Sequence, residues 1–125
     1  MKHLLDLNVL IAAVWADHSQ YGLAQSWLKD KAIVLCPIVE LGFLRISTHP
    51  RAIGADMTKA REALERFAAD GKADRIPDDL PALNSNPRKS EHVTDHYLAD
   101  LAAKHGFKLA TLDGQLKHPS VELVC

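Results

Sequence analysis

Residues 3–16 read HLLDLNVLIAAVWA, an apolar run interrupted by Asp6 and Asn8. His3 to Asp6 has the composition of a short buried strand, and Asn8 is a natural N-cap for a helix from Val9 to Ala16. The same strand-then-helix order recurs along the chain. A second helix is predicted over residues 19–31, with Ala24, Trp27 and Leu28 on one face. Ile33 to Cys36 is a β-branched run of strand length, and Pro37 suits the first turn of a helix reaching Ser47. Ala60, Ala63, Leu64, Phe67 and Ala68 follow the i, i+3, i+4, i+7, i+8 template, which predicts an amphipathic helix over 58–70. Arg75-Ile76 is a short strand candidate. Residues 77–92 hold three of the six prolines and read as a loop with room for one helical turn. Thr94 caps a further predicted helix that Gly106 stops, and strands are expected at 108–112 and 121–124. Several of these strands are apolar without a period of two. With the alternating order, that predicts a parallel sheet covered by helices, an α/β sandwich. In such sheets ligands bind beyond the carboxyl ends of the strands.

Length and composition narrow the function classes. A chain of 125 residues, 47% hydrophobic and 25% charged, is expected to form one domain over residues 1–125. Fifteen basic and sixteen acidic residues give a net charge of −1, so no global positive field coats the molecule for loose binding to nucleic acid. The N-terminus imitates a signal peptide, but Asp6 and Asn8 interrupt its apolar stretch, and no segment approaches the ~20 residues that span a bilayer. No membrane association and a cytoplasmic location are expected. Cys36 and Cys125 are too few for a four-cysteine metal site and read as free thiols.

Four acids stand where solvation does not explain them. Asp6 ends the first predicted strand and is the only ionisable side chain between His3 and Asp17. Glu40 lies in the apolar segment CPIVELGFLRI, at i, i+5 from Arg45, off the spacings that pair helix side chains. An unpaired carboxylate is costly there, so Glu40 reads as part of a site, a tertiary ion-pair partner or a residue on a partly exposed edge. Asp95 starts a helix and Asp113 ends the strand KLATL, and each alone fits an ordinary structural role. In a parallel α/β sheet all four can converge at one edge. Converging carboxylates repel unless a cation joins them, and hard oxygen ligands select Mg²⁺ or Mn²⁺. Such an ion activates water for attack on phosphorus.

These residues, in this order, resemble the PIN-domain nucleases, and within them the VapC-type toxins of toxin–antitoxin pairs. The resemblance is carried by LLDLNVLIA at the N-terminus, VELGFLR around Glu40, TDHYLADLAAKHG around Asp95 and LATLDGQL around Asp113. It implies a PIN-like three-layer sandwich with a mainly parallel central sheet flanked by helices. It further implies a Mg²⁺-dependent endoribonuclease with Asp6, Glu40, Asp95 and Asp113 as the catalytic and metal-binding set. Asn8 and Thr111 are similar to the family's supporting polar residues. Lys117 stands near where an arginine often follows the last acid. The partners implied are RNA, a small VapB-like antitoxin and a second copy of the chain. Candidate RNA contacts are Arg45, Lys59, Arg61, Arg88, Lys89 and Lys117, each of which also fits an ordinary solvated charge.

Two other readings compete. His92 and His96, in HVTDH, imitate a zinc-protease motif if residues 92–96 are helical. Alternatively, the acids are caps and ion-pair partners in a non-catalytic interaction domain. The remaining histidines have no ligand spacing and read as structural or surface residues.

Overall fold

The computed structural model describes residues 1–125. Five strands form one sheet: β1 (Lys2–Leu5), β2 (Ala32–Leu35), β3 (Asp74–Arg75), β4 (Lys108–Thr111) and β5 (Val121–Leu123). Their spatial order is β3-β2-β1-β4-β5, and every pairing is parallel. Leu4 aligns with Val34 on one side and Leu109 on the other, so the apolar centre of β1 is covered by apolar strands. Parallel strands need crossovers, and from β1 to β4 these carry the helices α1 (Leu7–Val14), α2 (Tyr21–Leu28), α3 (Pro37–Thr48), α4 (Met57–Asp70) and α5 (Val93–Lys104), while a loop over 112–120 joins β4 to β5. Helices α1 to α4 pack on one another, whereas α5 lies against β1 and β4. The chain moves outward from β1 to β3, then crosses back to β4. Right-handed crossovers in opposite directions put helices on opposite faces, which makes the three layers. One core cluster of 25 buried residues joins them, from Leu4 and Leu5 to Phe43, Leu98 and Leu109.

The predicted elements are all present, with shifted boundaries. Helix α1 begins two residues before Val9 because Asp6, not Asn8, is its N-cap. The Asp6 carboxylate accepts from Leu7 N at 2.8 Å, and its carbonyl accepts from Val9 and Leu10. The Asn8 side chain is spent on β4 instead. Helix α5 starts at Val93, so Thr94 lies inside the first turn and is no cap. The chain is already turning there, in a 3-10 turn over Ser90–His92. A second 3-10 turn, Ala82–Asn84, falls in the proline-rich loop. Gly106 terminates α5 as expected: at φ +76° it lets Phe107 N return to Ala102 O and its own N–H to Ala103 O.

No helix is long and apolar enough to cross a membrane. Cys36 is buried and Cys125 exposed, both unpaired, and burial pushes the Cys36 thiol up to about 12.

Candidate active site

The strand order reverses direction between β1 and β4. That switch point opens a crevice at the carboxyl edge of the sheet. Asp6 follows β1 there, and Thr111, the last residue of β4, lies beside it. Both are buried. The Thr111 hydroxyl donates to Asp6 Oδ2 at 2.7 Å. It accepts in turn from Asn8 Nδ2 at 3.2 Å and from Asp113 N at 3.1 Å. Asn8 Oδ1 accepts from Leu112 N at 3.1 Å, so its amide laces α1 to the end of β4. One hydroxyl, with its single proton and two lone pairs all used, thereby sets the positions of Asp6, Asn8 and Asp113.

Asp95 reaches the same crevice from the first turn of α5. Burial and the neighbouring Asp95 charge push the Asp6 carboxyl up to about 7, against the pull of its bonds to Thr111 and Leu7 N. Asp95 is also raised, by burial first and by the Asp113 charge, while its hydrogen bond with Asp6 pulls it down. The two carboxyls thus interact directly in the crevice. A cavity of about 430 Å³ opens in front of them, with Ile38, Leu41, Ile46 and Leu98 on its apolar walls and Arg45 at its margin.

Asp113 stands beside this pair. Its Oδ1 accepts from Gln115 N at 2.8 Å, and its Oδ2 lies 3.3 Å from His92 Nε2. Glu40 is turned elsewhere. It sits in the first turn of α3, and its Oε1 accepts from Arg75 Nε at 3.0 Å and lies 2.9 Å from Nη2. It therefore borders a separate cavity with Arg61 and Arg75. The structure brings Asp6, Asp95 and Asp113 together and gives Glu40 the tertiary ion pair that an apolar helix demands.

The histidines of HVTDH do not share a point. His92 faces Asp113, whereas His96 Nδ1 lies 3.1 Å from Asp100 Oδ2. Sequence reasoning passed over the cluster around Asp100, although His96 and Asp100 have i, i+4 spacing. His118 Nε2 lies 2.7 Å from Asp100 Oδ1, and Ser85 Oγ lies 3.0 Å from His96 Nδ1. The ligand atoms of His96, Asp100 and His118 all lie within 4.8 Å of one another. However, His118 Nδ1 accepts from Ser120 N at 3.0 Å, so the ring proton sits on Nε2, pointing at Asp100. A metal would need that nitrogen bare. The cluster instead braces the 114–120 loop against α5, and nothing in the sequence marked His118 for it.

The PIN domain family model matches residues 3–121. The chain belongs to the PIN-domain family. Among curated relatives, Ribonuclease VapC38 of Mycobacterium tuberculosis (strain ATCC 25618 / H37Rv) is 35% identical over 123 residues, covering 88% of this chain and 84% of the relative. Ribonuclease VapC39 of the same strain is 34% identical over 127 residues, covering 93% and 91%. This PIN domain is therefore one of the VapC ribonuclease family. A solved structure, VapBC2 from Rickettsia felis bound to a DNA fragment from their promoter, superposes with TM-score 0.67 over 98% of this chain and 97% of that one. At 15% identity that likeness speaks for the fold.

Proposed function

We propose that this PIN domain is a Mg²⁺-dependent endoribonuclease and the toxin of a toxin–antitoxin pair. The observation that carries this reading is the Asp6–Asp95 pair, two carboxyls forced together in a crevice where the first holds its proton up to about pH 7. A protein retains such an arrangement at a cost unless a cation relieves it. The donors are all carboxylate oxygens, which fits Mg²⁺, with Mn²⁺ able to replace it. Asp6, Asp95 and Asp113 would hold the ion, joined by Glu40 once it leaves Arg75. When bound, the ion supplies a water of lowered pKa and neutralises charge developing at phosphorus.

The chain's own residues do the rest. Thr111 and the Leu7 amide fix both oxygens of Asp6, so the carboxylate is aimed before any ligand arrives. Asn8 fixes the turn that carries Asp113. His92 holds Asp113 Oδ2 at the margin of the site. Ile38, Leu41, Ile46 and Leu98 give the cavity in front of the pair an apolar wall. Direct attack of water on phosphorus leaves 5′-phosphate and 3′-hydroxyl ends. The partner that restrains the enzyme is a VapB-like antitoxin, whose arginine would pair bidentately with Asp6 and Asp95. A second copy of the chain completes the active form.

The test is cleavage of single-stranded RNA with end-group analysis. Cleavage with Mg²⁺, loss of it in excess EDTA, and 5′-phosphate products are expected. Asp95→Asn should abolish cleavage and keep the fold, because it removes charge and preserves shape. A 2′,3′-cyclic phosphate product, or near-normal cleavage by Asp95→Asn, would overturn the reading.

A further inference from the structure

Beside the acidic crevice lies a second, larger cavity of about 540 Å³ with the opposite charge. Arg88 and Lys89 line it from the proline-rich loop, Lys117 from the loop after Asp113, and His92 and His96 from α5 and the turn before it. No carboxylate lines it. None of the chain's ion pairs uses Arg88, Lys89 or Lys117. In a chain whose net charge is −1, three uncompensated cations around one cavity are a local anion seat rather than part of a general basic surface. Its walls are held in place. Leu116 is 5% exposed and anchors the loop between Gln115 and Lys117. The Asp100 clasp on His96 and His118 ties that loop to α5. His92 links this cleft to the acids, since its ring lines the cleft while its Nε2 lies 3.3 Å from Asp113 Oδ2.

We infer that this cleft seats the phosphodiester next to the one being cut, so that the RNA strand leaves the acids over His92 and is held by Arg88 and Lys117. The inference rests on the nuclease reading of Asp6, Asp95 and Asp113. Arg45 is excluded from this role, because it lines the apolar cavity in front of Asp6 and Asp95. A strand crossing the rim also meets His92 before it meets Asp113. His92 is then a positioning residue that sets the distance between the held phosphate and the acids.

The experiment uses a single-stranded RNA whose cut site has been mapped with the wild-type protein. Each linkage in turn is replaced by a neutral methylphosphonate. One linkage adjoining the cut should slow wild-type kcat/KM by roughly tenfold, the size of a lost charge-assisted contact. The double variant Arg88→Gln/Lys117→Gln should be slow on every substrate and insensitive to that replacement. Anisotropy with the same RNA in EDTA reads the cleft without cleavage. The slope of log K against log salt should flatten by roughly 0.7 for each phosphate contact removed. Lys29→Gln, at the C-terminal end of α2 and lining neither cavity, is the control and should change neither readout. If RNA is not cleaved but the salt slope flattens, the nuclease reading fails, and with it the cleft's place next to a cut, leaving only a seat for RNA phosphate. If RNA is cleaved and the double variant keeps both the methylphosphonate penalty and the wild-type slope, the cleft proposal is wrong. It is equally wrong if the variant weakens only the antitoxin complex.

Discussion

Asp6 carries two structural burdens besides its charge. It caps α1, and it accepts the Thr111 proton in a buried crevice. The raised pKa sets a pH dependence for the metal-free protein. Between the unfolded value near 4 and the folded value of about 7, the folded state binds more protons than the unfolded chain. Stability in EDTA should therefore fall as pH rises through that window and level off above it. The penalty is on the order of a few kcal/mol, shared across the Asp6–Asp95 pair. Asp95→Asn removes the like charge and can donate to Asp6, so it should melt a few degrees above wild type at pH 8 in EDTA. It should also lose most of the rise that Mg²⁺ produces. A lower melting temperature with a full Mg²⁺ response would show that the two acids do not act together. Thr111 is the second residue on which the site hangs. Thr111→Val leaves Asn8 Nδ2 and the Asp113 N–H without their acceptor and takes a donor from Asp6. A loss of roughly 2–4 kcal/mol is expected in urea unfolding, against about 1 kcal/mol for Thr111→Ser, which keeps the hydroxyl.

At the scale of elements, each acid stands where a backbone direction changes. Asp6 joins β1 to α1, Asp113 follows β4, and Asp95 lies in the first turn of α5. Sheet and helix ends meet there because all the strands are parallel and their carboxyl ends share one edge. Glu40 is the exception. Its turn of α3 follows β2 directly, yet β3 lies beyond β2 and presents Arg75. Arg75 is 52% exposed, so the pair is screened and contributes under about 1 kcal/mol to stability. Arg75→Gln should thus barely change the melting temperature. It should tighten Mg²⁺ binding severalfold in calorimetric titration, because Glu40 no longer has to leave a cation to join the metal. Unchanged Mg²⁺ affinity would assign Glu40 to α3–β3 packing alone.

For the whole molecule, charge is segregated without being large. Three acids gather in one crevice and three cations line a separate cleft, with the His92–Asp113 contact between them, and the net charge of the chain is −1. Two consequences follow for partners. RNA attraction is short-ranged and local, and an inhibitor gains most by placing a cation on the acids. Mixing the protein with its VapB-like antitoxin should stop RNA cleavage, and replacing the arginine that enters the Asp6–Asp95 cavity should restore it. Inhibition that survives the replacement would place the antitoxin elsewhere on the toxin.

The order of strands and helices, the apolar centre of the sheet and the four suspicious acids were all legible in the sequence. These follow from local rules: apolar runs of strand length, the 3.6-residue period of α4, and carboxylates where burial should forbid them. The family was legible too, because LLDLNVLIA, TDHYLADLAAKHG and LATLDGQL keep their order and spacing. What tertiary structure alone decided are the pairings between distant segments. Asp6 meets Thr111 across 105 residues, Glu40 meets Arg75 across 35, and His118 meets Asp100 across 18. No period or propensity encodes such contacts. They depend on β1 and β4 lying side by side, on β3 flanking β2, and on which of two competing side chains, Asp6 or Asn8, reaches the first free amide of α1. In that last case Asp6 precedes the Leu7 amide and so can cap it, whereas the Asn8 side chain is taken up by the Thr111 hydroxyl and the Leu112 N–H.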